Sequence, residues 1–108
     1  MMQSPIKILL IEDDEQDIEL IETYLAIAKN FTTHLEIATS IQQGLERLYV
    51  GGIDIILCDL TLPDGRGLDT FVQINAQFPE VPMIILSGLN DIVNWVWEPS
   101  FPLIFWCI

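Results

Sequence analysis

Short apolar runs alternate with longer stretches of helical periodicity along this chain. The run Ile6-Lys7-Ile8-Leu9-Leu10-Ile11 is closed by three acids, Glu12-Asp13-Asp14. A run this short and rich in β-branched residues predicts a strand buried on both faces. From Glu15 onward Ile18, Ile21, Leu25 and Ala28 recur at helical spacing, and Leu20, Tyr24 and Ile27 widen the stripe. Asp14 is placed to cap that helix, Asp17 puts a carboxylate in its first turn, and Lys29-Asn30 is the expected close. Thr33 to Thr39 alternates Leu35, Ile37 and Thr39 with His34, Glu36 and Ala38, which predicts a strand at a sheet edge. Ser40 is a natural cap for a second helix carrying Ile41, Leu45, Leu48 and Tyr49, and Gly51-Gly52 stops it. Ile55-Ile56-Leu57-Cys58 is the next buried strand and delivers Asp59 into a loop containing Pro63-Asp64-Gly65 and Gly67. Leu68, Phe71, Val72, Ile74, Asn75 and Phe78 mark a third helix that stops before Pro79. Val81 to Leu86 is a further strand, ending at Ser87-Gly88.

The order βαβαβαβ predicts an α/β fold, a doubly wound parallel sheet with right-handed crossovers and helices on both faces. Residues 1–108 make a single domain. Residues 91–108 are an atypical tail: all three tryptophans fall there, with Pro99 and Pro102. Within it Asp91 to Glu98 has room for about two turns of helix, and Leu103 to Ile108 for a short strand. No amphipathic helix follows.

Composition narrows the function. The chain is 51% hydrophobic and carries a formal charge of −12, from 16 acids against 4 bases. Phosphate-backbone binding relies on Lys and Arg, so direct nucleic-acid binding by this domain is not expected. Adsorption to anionic membranes is disfavoured for the same reason. An acidic surface suits a cation or a basic partner, and it also serves plain solubility. The two cysteines, Cys58 and Cys107, form no disulfide framework and no metal-binding spacing, which fits a reducing, cytoplasmic compartment. The N-terminus lacks a secretory pattern, and no apolar run reaches membrane-spanning length.

The candidate chemistry lies in the acids. Ligands of an open parallel sheet bind outside the carboxyl ends of its strands, where first and third strands can be neighbours. Glu12 and Asp13 end the first strand and Asp59 ends the third. Three converging carboxylates repel one another unless a cation binds, and hard oxygen ligands suit Mg²⁺. Such a cation would also neutralise a phosphoryl group held at Asp59, and Ser87 offers a hydroxyl from the neighbouring strand. The competing reading is that these acids are solvated loop residues and caps. His34, the only histidine, reads as an exposed strand residue with no nucleophile context for a triad. Gly65 and Gly67 are not a phosphate loop, since no Gly-Lys-Ser/Thr follows, and Arg66 reads as a solvated loop residue.

Three motifs carry a resemblance. They are Ile8 to Asp14 (Ile-Leu-Leu-Ile-Glu-Asp-Asp), Asp54 to Gly65 (Asp-Ile-Ile-Leu-Cys-Asp-Leu-Thr-Leu-Pro-Asp-Gly) and Pro82 to Gly88 (Pro-Met-Ile-Ile-Leu-Ser-Gly). Over residues 5 to 91 the chain resembles the receiver domain of two-component response regulators. The resemblance implies a flavodoxin-like sheet of strand order 2-1-3-4-5. It implies that Asp59 accepts a phosphoryl group from a sensor histidine kinase or phosphotransfer protein, and that Glu12, Asp13 and Asp59 bind Mg²⁺ with the backbone carbonyl of Thr61. It also implies that Ser87 hydrogen-bonds the phosphoryl group and shifts with it.

The chain departs from the family at its end. The family carries a lysine at the end of its fifth strand, and here no lysine follows Lys29. The last strand reads as irregular, the family's last helix is missing, and the tail resembles a frameshifted or early-ended version of the family's last third. An uncovered sheet face predicts a marginal monomer, or self-association through that face. The leading expectation is therefore a phosphoacceptor signalling domain, impaired by the missing lysine and acting through a downstream protein partner rather than as an enzyme. The alternative is a receiver-like protein-binding module that no longer switches. A small aspartyl phosphatase is the third reading; the second acid it needs two residues after its nucleophile is replaced by Thr61 after Asp59, and Glu15 after Asp13 fits it only loosely.

Overall fold

The computed structural model describes residues 4–28, 30–59, 68–87 and 103–107; for 68, 70, 71, 87 and 103–107 it describes the backbone alone. Five strands and three helices occupy these residues: β1 (Ile6–Ile11), α1 (Glu15–Ile27), β2 (Thr33–Ala38), α2 (Ile41–Val50), β3 (Ile55–Asp59), α3 (Leu68–Gln77), β4 (Met83–Ser87) and β5 (Leu103–Cys107). The strands form one sheet of order β2-β1-β3-β4-β5, and every neighbouring pair is parallel. β2 lies at an edge, as its alternation predicts. Residues 103–107 pair with β4 in an unbroken register from Met83↔Leu103 to Ser87↔Cys107. The backbone of the fifth strand is thus more regular than its sequence suggests. The helix expected within residues 91–98 lies outside the described residues.

Local chemistry sets the element ends. Asp14 caps α1 by accepting a hydrogen bond from the Gln16 amide at 2.8 Å, and Ser40 caps α2 by accepting from the Gln43 amide at 3.1 Å. α2 stops at Gly51, which with Gly52 takes a positive φ, the backbone region open to glycine without steric cost. α1 ends earlier than Lys29-Asn30. Its C-cap is Ala28, in extended backbone, whose amide donates to the Leu25 carbonyl at 3.3 Å. No basic residue stands in the last turn of α1.

The core has two halves, one on each face of the sheet. On one face Leu9, Ile11, Ile56, Cys58, Met83 and Ile85 meet Ile41, Leu45 and Leu48 of α2 and Ile74 of α3. On the other face Leu10 and Leu86 meet Ile21 of α1, with Ile18, Leu25, Leu35, Leu57 and Ile84 around them. β1 is buried on both faces, as its sequence predicts. β3 is not symmetric: Ile56 and Cys58 are fully buried, while Leu57 on the α1 side is half-buried. On α1 the widened stripe is not used for the core, because Tyr24 and Ile27 stay largely exposed. No described helix is long and apolar enough to cross a membrane.

Two contacts hold α2 in place. Arg47 makes a bidentate pair with Glu36 of β2, at 2.6 and 2.7 Å, and also donates to the Gly51 carbonyl. The pair lowers the Glu36 pKa and raises that of Arg47, chiefly through the side-chain hydrogen bonds. Gly44 lets the helix approach β1: a Cβ built there would lie 2.6 Å from Ile11 Cδ1, inside van der Waals contact with a fully buried side chain. A branched side chain at this position must therefore push α2 off β1. Gly44→Val is expected to destabilise the fold by about 2 kcal/mol, the cost of overpacking a filled core. Urea unfolding followed by circular dichroism measures this, and an unchanged or higher midpoint would contradict the close approach.

Candidate cation and phosphoryl site

The strand register builds the site. Ile11 of β1 lies beside Cys58 of β3. One residue further along each parallel strand, Glu12 comes alongside Asp59. Asp59 in turn is level with Leu86 of β4, so the backbone of Ser87 lies one position beyond it. The parallel direction of all these strands puts their carboxyl ends together, and the acids that end β1 and β3 meet there.

Glu12, Asp13 and Asp59 each bring a carboxylate oxygen into a group no wider than 4.8 Å. Opposed oxygens around an octahedral Mg²⁺ stand roughly 4.2 Å apart, twice the ~2.1 Å ligand distance, so small side-chain shifts would bring these three onto one ion. The donor set also suits the ion, since all three are hard carboxylate oxygens. Among the residues that sequence reasoning named, these are the ones whose side chains come together. Thr61 lies outside the described residues, as do Gly65, Arg66 and Gly67. Ser87 is described in backbone only. His34 is exposed on β2, near Glu36, and far along the strand from the acids.

The carboxylates differ in environment. Asp13 is exposed, whereas Glu12 and Asp59 retain only 2% and 6% of their accessible surface. Glu12 is fixed from two sides. Its amide donates to the Ala38 carbonyl at 2.9 Å. Its Oε1 accepts from the amides of Asp13 and Asp14, at 3.0 and 3.1 Å. The loop after β1 thus curls around the Glu12 carboxylate before Asp14 starts α1.

Burial is the main force on Glu12. Loss of water pushes its pKa up from 4.5 to about 8; the backbone hydrogen bond from Asp14 opposes this, and the charge of Asp59 and a hydrogen bond with it add to the rise. The same field reaches Asp17, one turn into α1. Its pKa is raised by partial burial and then by the charges of Asp14, Asp59 and Asp13. The sequence shows Asp17 only as a first-turn acid of α1. Its place in the site's field follows from α1 starting directly beside the cluster, and the spacing of three from Asp14 is the sole hint in the sequence.

Cys58 is buried behind Asp59, and its thiol donates to the Asp59 carbonyl at 3.5 Å. It packs as the small apolar residue the strand pattern predicts.

The sequence matches the response regulator receiver domain family over residues 8–96. A curated relative, the transcriptional regulatory protein MalR of Bacillus subtilis, is 33% identical over 87 residues, covering 81% of this chain and 37% of MalR. The chain thus spans little more than a third of that relative's length. The crystal structure of the phosphorylated cyanobacterial phytochrome response regulator RcpA superposes with a TM-score of 0.69 at 26% identity, covering 83% of this chain and 69% of RcpA. TrrA of Thermotoga maritima, solved in complex with Mg²⁺–BeF, shares the fold, with a TM-score of 0.66 at 21% identity over 76% of this chain and 69% of its own. The parallel sheet order, the acid cluster at its carboxyl end and these matches agree: the chain belongs to the response regulator receiver domains of two-component signalling.

Proposed function

We propose that this domain receives a phosphoryl group on Asp59 from a sensor histidine kinase or phosphotransfer protein, with Mg²⁺ as cofactor. The observation that carries the reading is the triplet Glu12, Asp13 and Asp59 at the carboxyl ends of neighbouring parallel strands. The phosphorylated state of RcpA and the Mg²⁺–BeF complex of TrrA support it by likeness. In this reading an Asp59 oxygen attacks the donor's phosphorus. The new O–P bond forms as the donor's P–N or P–O bond breaks, and the leaving group keeps the electron pair. Glu12, Asp13, Asp59 and the Thr61 carbonyl would hold the Mg²⁺, whose charge offsets that of the carboxylates and of the phosphoryl oxygens. Ser87 would donate a hydrogen bond to the phosphoryl group.

The product stays on the protein, so the domain acts as a signalling switch rather than as an enzyme. Residues 103–108 carry no lysine, so the end of β5 does not supply the cationic contact to the phosphoryl group that the family draws from it, and transfer is expected to be slower than in receivers that have it. Residues 1–108 act as one receiver domain with a variant tail at 91–108. The chain spans 37% of MalR, so DNA control, where it exists, belongs to a longer protein. This acidic domain instead contacts protein partners, in the cytoplasm.

Incubation with a small phosphodonor and Mg²⁺ tests the reading by intact mass. A phosphate-sized gain is expected in the wild type and none in Asp59→Asn. Folded protein that gains no mass would favour the second reading, a receiver-like module that binds a partner without switching; the missing lysine is what favours that reading.

Proton and cation compete at Glu12. Its folded-state pKa lies above the unfolded value, so the folded state holds the extra proton between about pH 4.5 and 8. The contribution of Glu12 to metal-free stability is present below that window and is lost as pH rises through it. Binding of Mg²⁺ there must release the proton. The gain in melting temperature from Mg²⁺ is therefore expected to be larger at pH 8 than at pH 6, and Glu12→Gln should remove that difference. An equal gain at both pH values in the wild type would mean Glu12 does not face the cation.

A further inference from the structure

One acid of α1 stands apart from the others. Glu15, Glu19 and Glu22 recur at i, i+4 and i+7 and are exposed along one flank of the helix. Asp17 lies on the other flank, in the first turn after the cap residue Asp14, and is half-buried. The core fixes where that turn sits. Ile18, the next residue, packs against the cluster of Leu10, Ile21 and Leu86. Leu10 belongs to β1 and Leu86 to β4, and β3 runs between those two strands. Leu86 is also level with Asp59. The first turn of α1 therefore lies over the carboxyl end of β3. Partial burial, then the charges of Asp14, Asp59 and Asp13, raise the Asp17 pKa, so its carboxylate lies within the field of the cluster. Among the described residues the lysine and the arginine are elsewhere: Lys7 is near the amino end of β1, and Arg47 is engaged by Glu36.

We propose that Asp17 is a specificity-determining residue of the phosphoryl site, one that discriminates among donors by their negative charge. This rests on Asp59 being the phosphoacceptor. A divalent cation offsets two of the three charges of Glu12, Asp13 and Asp59, so Asp17 adds its charge to a site that is still negative. A donor must bring its phosphoryl group into that field. Near neutral pH acetyl phosphate enters as a dianion, whereas phosphoramidate, with its nitrogen protonated, enters as a monoanion. Both yield the same aspartyl phosphate. The Asp59 O–P bond forms as the P–O bond of acetyl phosphate breaks and acetate leaves with the electron pair, or as the P–N bond of phosphoramidate breaks and ammonia leaves with it. The two reactions differ in the charge brought to the site. A carboxylate at Asp17 penalises the acyl phosphate more, and the domain thereby favours phosphoryl groups carried on protonated nitrogen.

Initial rates of phosphorylation by each donor, at saturating Mg²⁺ and followed by intact mass, test this. Asp17→Asn is expected to raise the acetyl phosphate rate relative to the phosphoramidate rate by about three- to tenfold, the effect of one nearby charge on one further unit of donor charge. The ratio cancels any change in folding or cation affinity that both donors share, so a merely structural role would not move it. Asp17→Ser, a second neutral variant, should give the same shift. Glu22→Gln removes an equal charge from the exposed flank of α1 and should leave the ratio unchanged. An unchanged ratio in both Asp17 variants overturns the proposal, as does an equal shift in Glu22→Gln, which would assign the effect to net charge. Labelling of every variant by both donors at a constant ratio would end this proposal and leave Asp59 as the phosphoacceptor. Labelling of the wild type by neither donor would end both.

Discussion

The structure depends on a parallel register that forces acids together in a place with little water. Pairing Ile11 with Cys58 leaves Glu12 and Asp59 no choice but to meet one residue later. The register itself is fixed by the core, since a slip of one residue would turn Leu9, Ile11, Ile56 and Cys58 out of their shared cluster. The energy that sets the register is thus hydrophobic, and its by-product is electrostatic tension at the strand ends. Burial of Glu12 makes that tension strong enough to hold a proton near neutral pH. A site in this state is poised for a cation, because a bound ion relieves the desolvation and the repulsion at once.

Much of this was legible in the sequence, for reasons that can be named. β1 and β3 are dense apolar runs, so their ends and the acids that follow stand out. The caps at Asp14 and Ser40 act within three residues, and local rules suffice for them. Edge placement of β2 followed from its alternating pattern. What escaped the sequence depends on contacts distant along the chain. The Arg47–Glu36 fork joins residues eleven apart on different elements. The role of Gly44 appears only once α2 lies on Ile11. The raised pKa of Glu12 needs burial, which no local pattern measures. The end of α1 was misplaced because Lys29-Asn30 has the chemistry of a helix end, while Ala28 had already left helical geometry. At the site, sequence reasoning identified the three carboxylates and treated Asp17 only as part of α1.

The two faces of the sheet are covered unequally, and this shapes how the domain can meet other molecules. α2 and α3 seal one face so that Ile56, Ile74 and Ile85 are fully buried. On the α1 face Leu57 and Ile84 remain half-buried, and Tyr24 and Ile27 of α1 are exposed beside four acids of the same helix, Glu15, Asp17, Glu19 and Glu22. Tyr49 and Val50 of α2 and Val72 of α3 are also exposed, but on the α1 side exposed apolar and acidic side chains stand together on one helix. A partner meeting that side would need apolar contacts and would be favoured by positive charge.

The core and the site are also joined through single residues. Ile11 packs under Gly44 on one face of the sheet, and the next residue is Glu12. Cys58 belongs to the same cluster, and the next residue is Asp59. Each of the two buried carboxylates therefore follows directly on a side chain that is itself fully buried. Moving either carboxylate by much would require the core to repack, and close-packed interiors resist this. The exposed Asp13 carries no such constraint. The cluster accordingly combines two ligands held by the core with one that can adjust. That division suits a site which must keep its shape without a cation and still close around one.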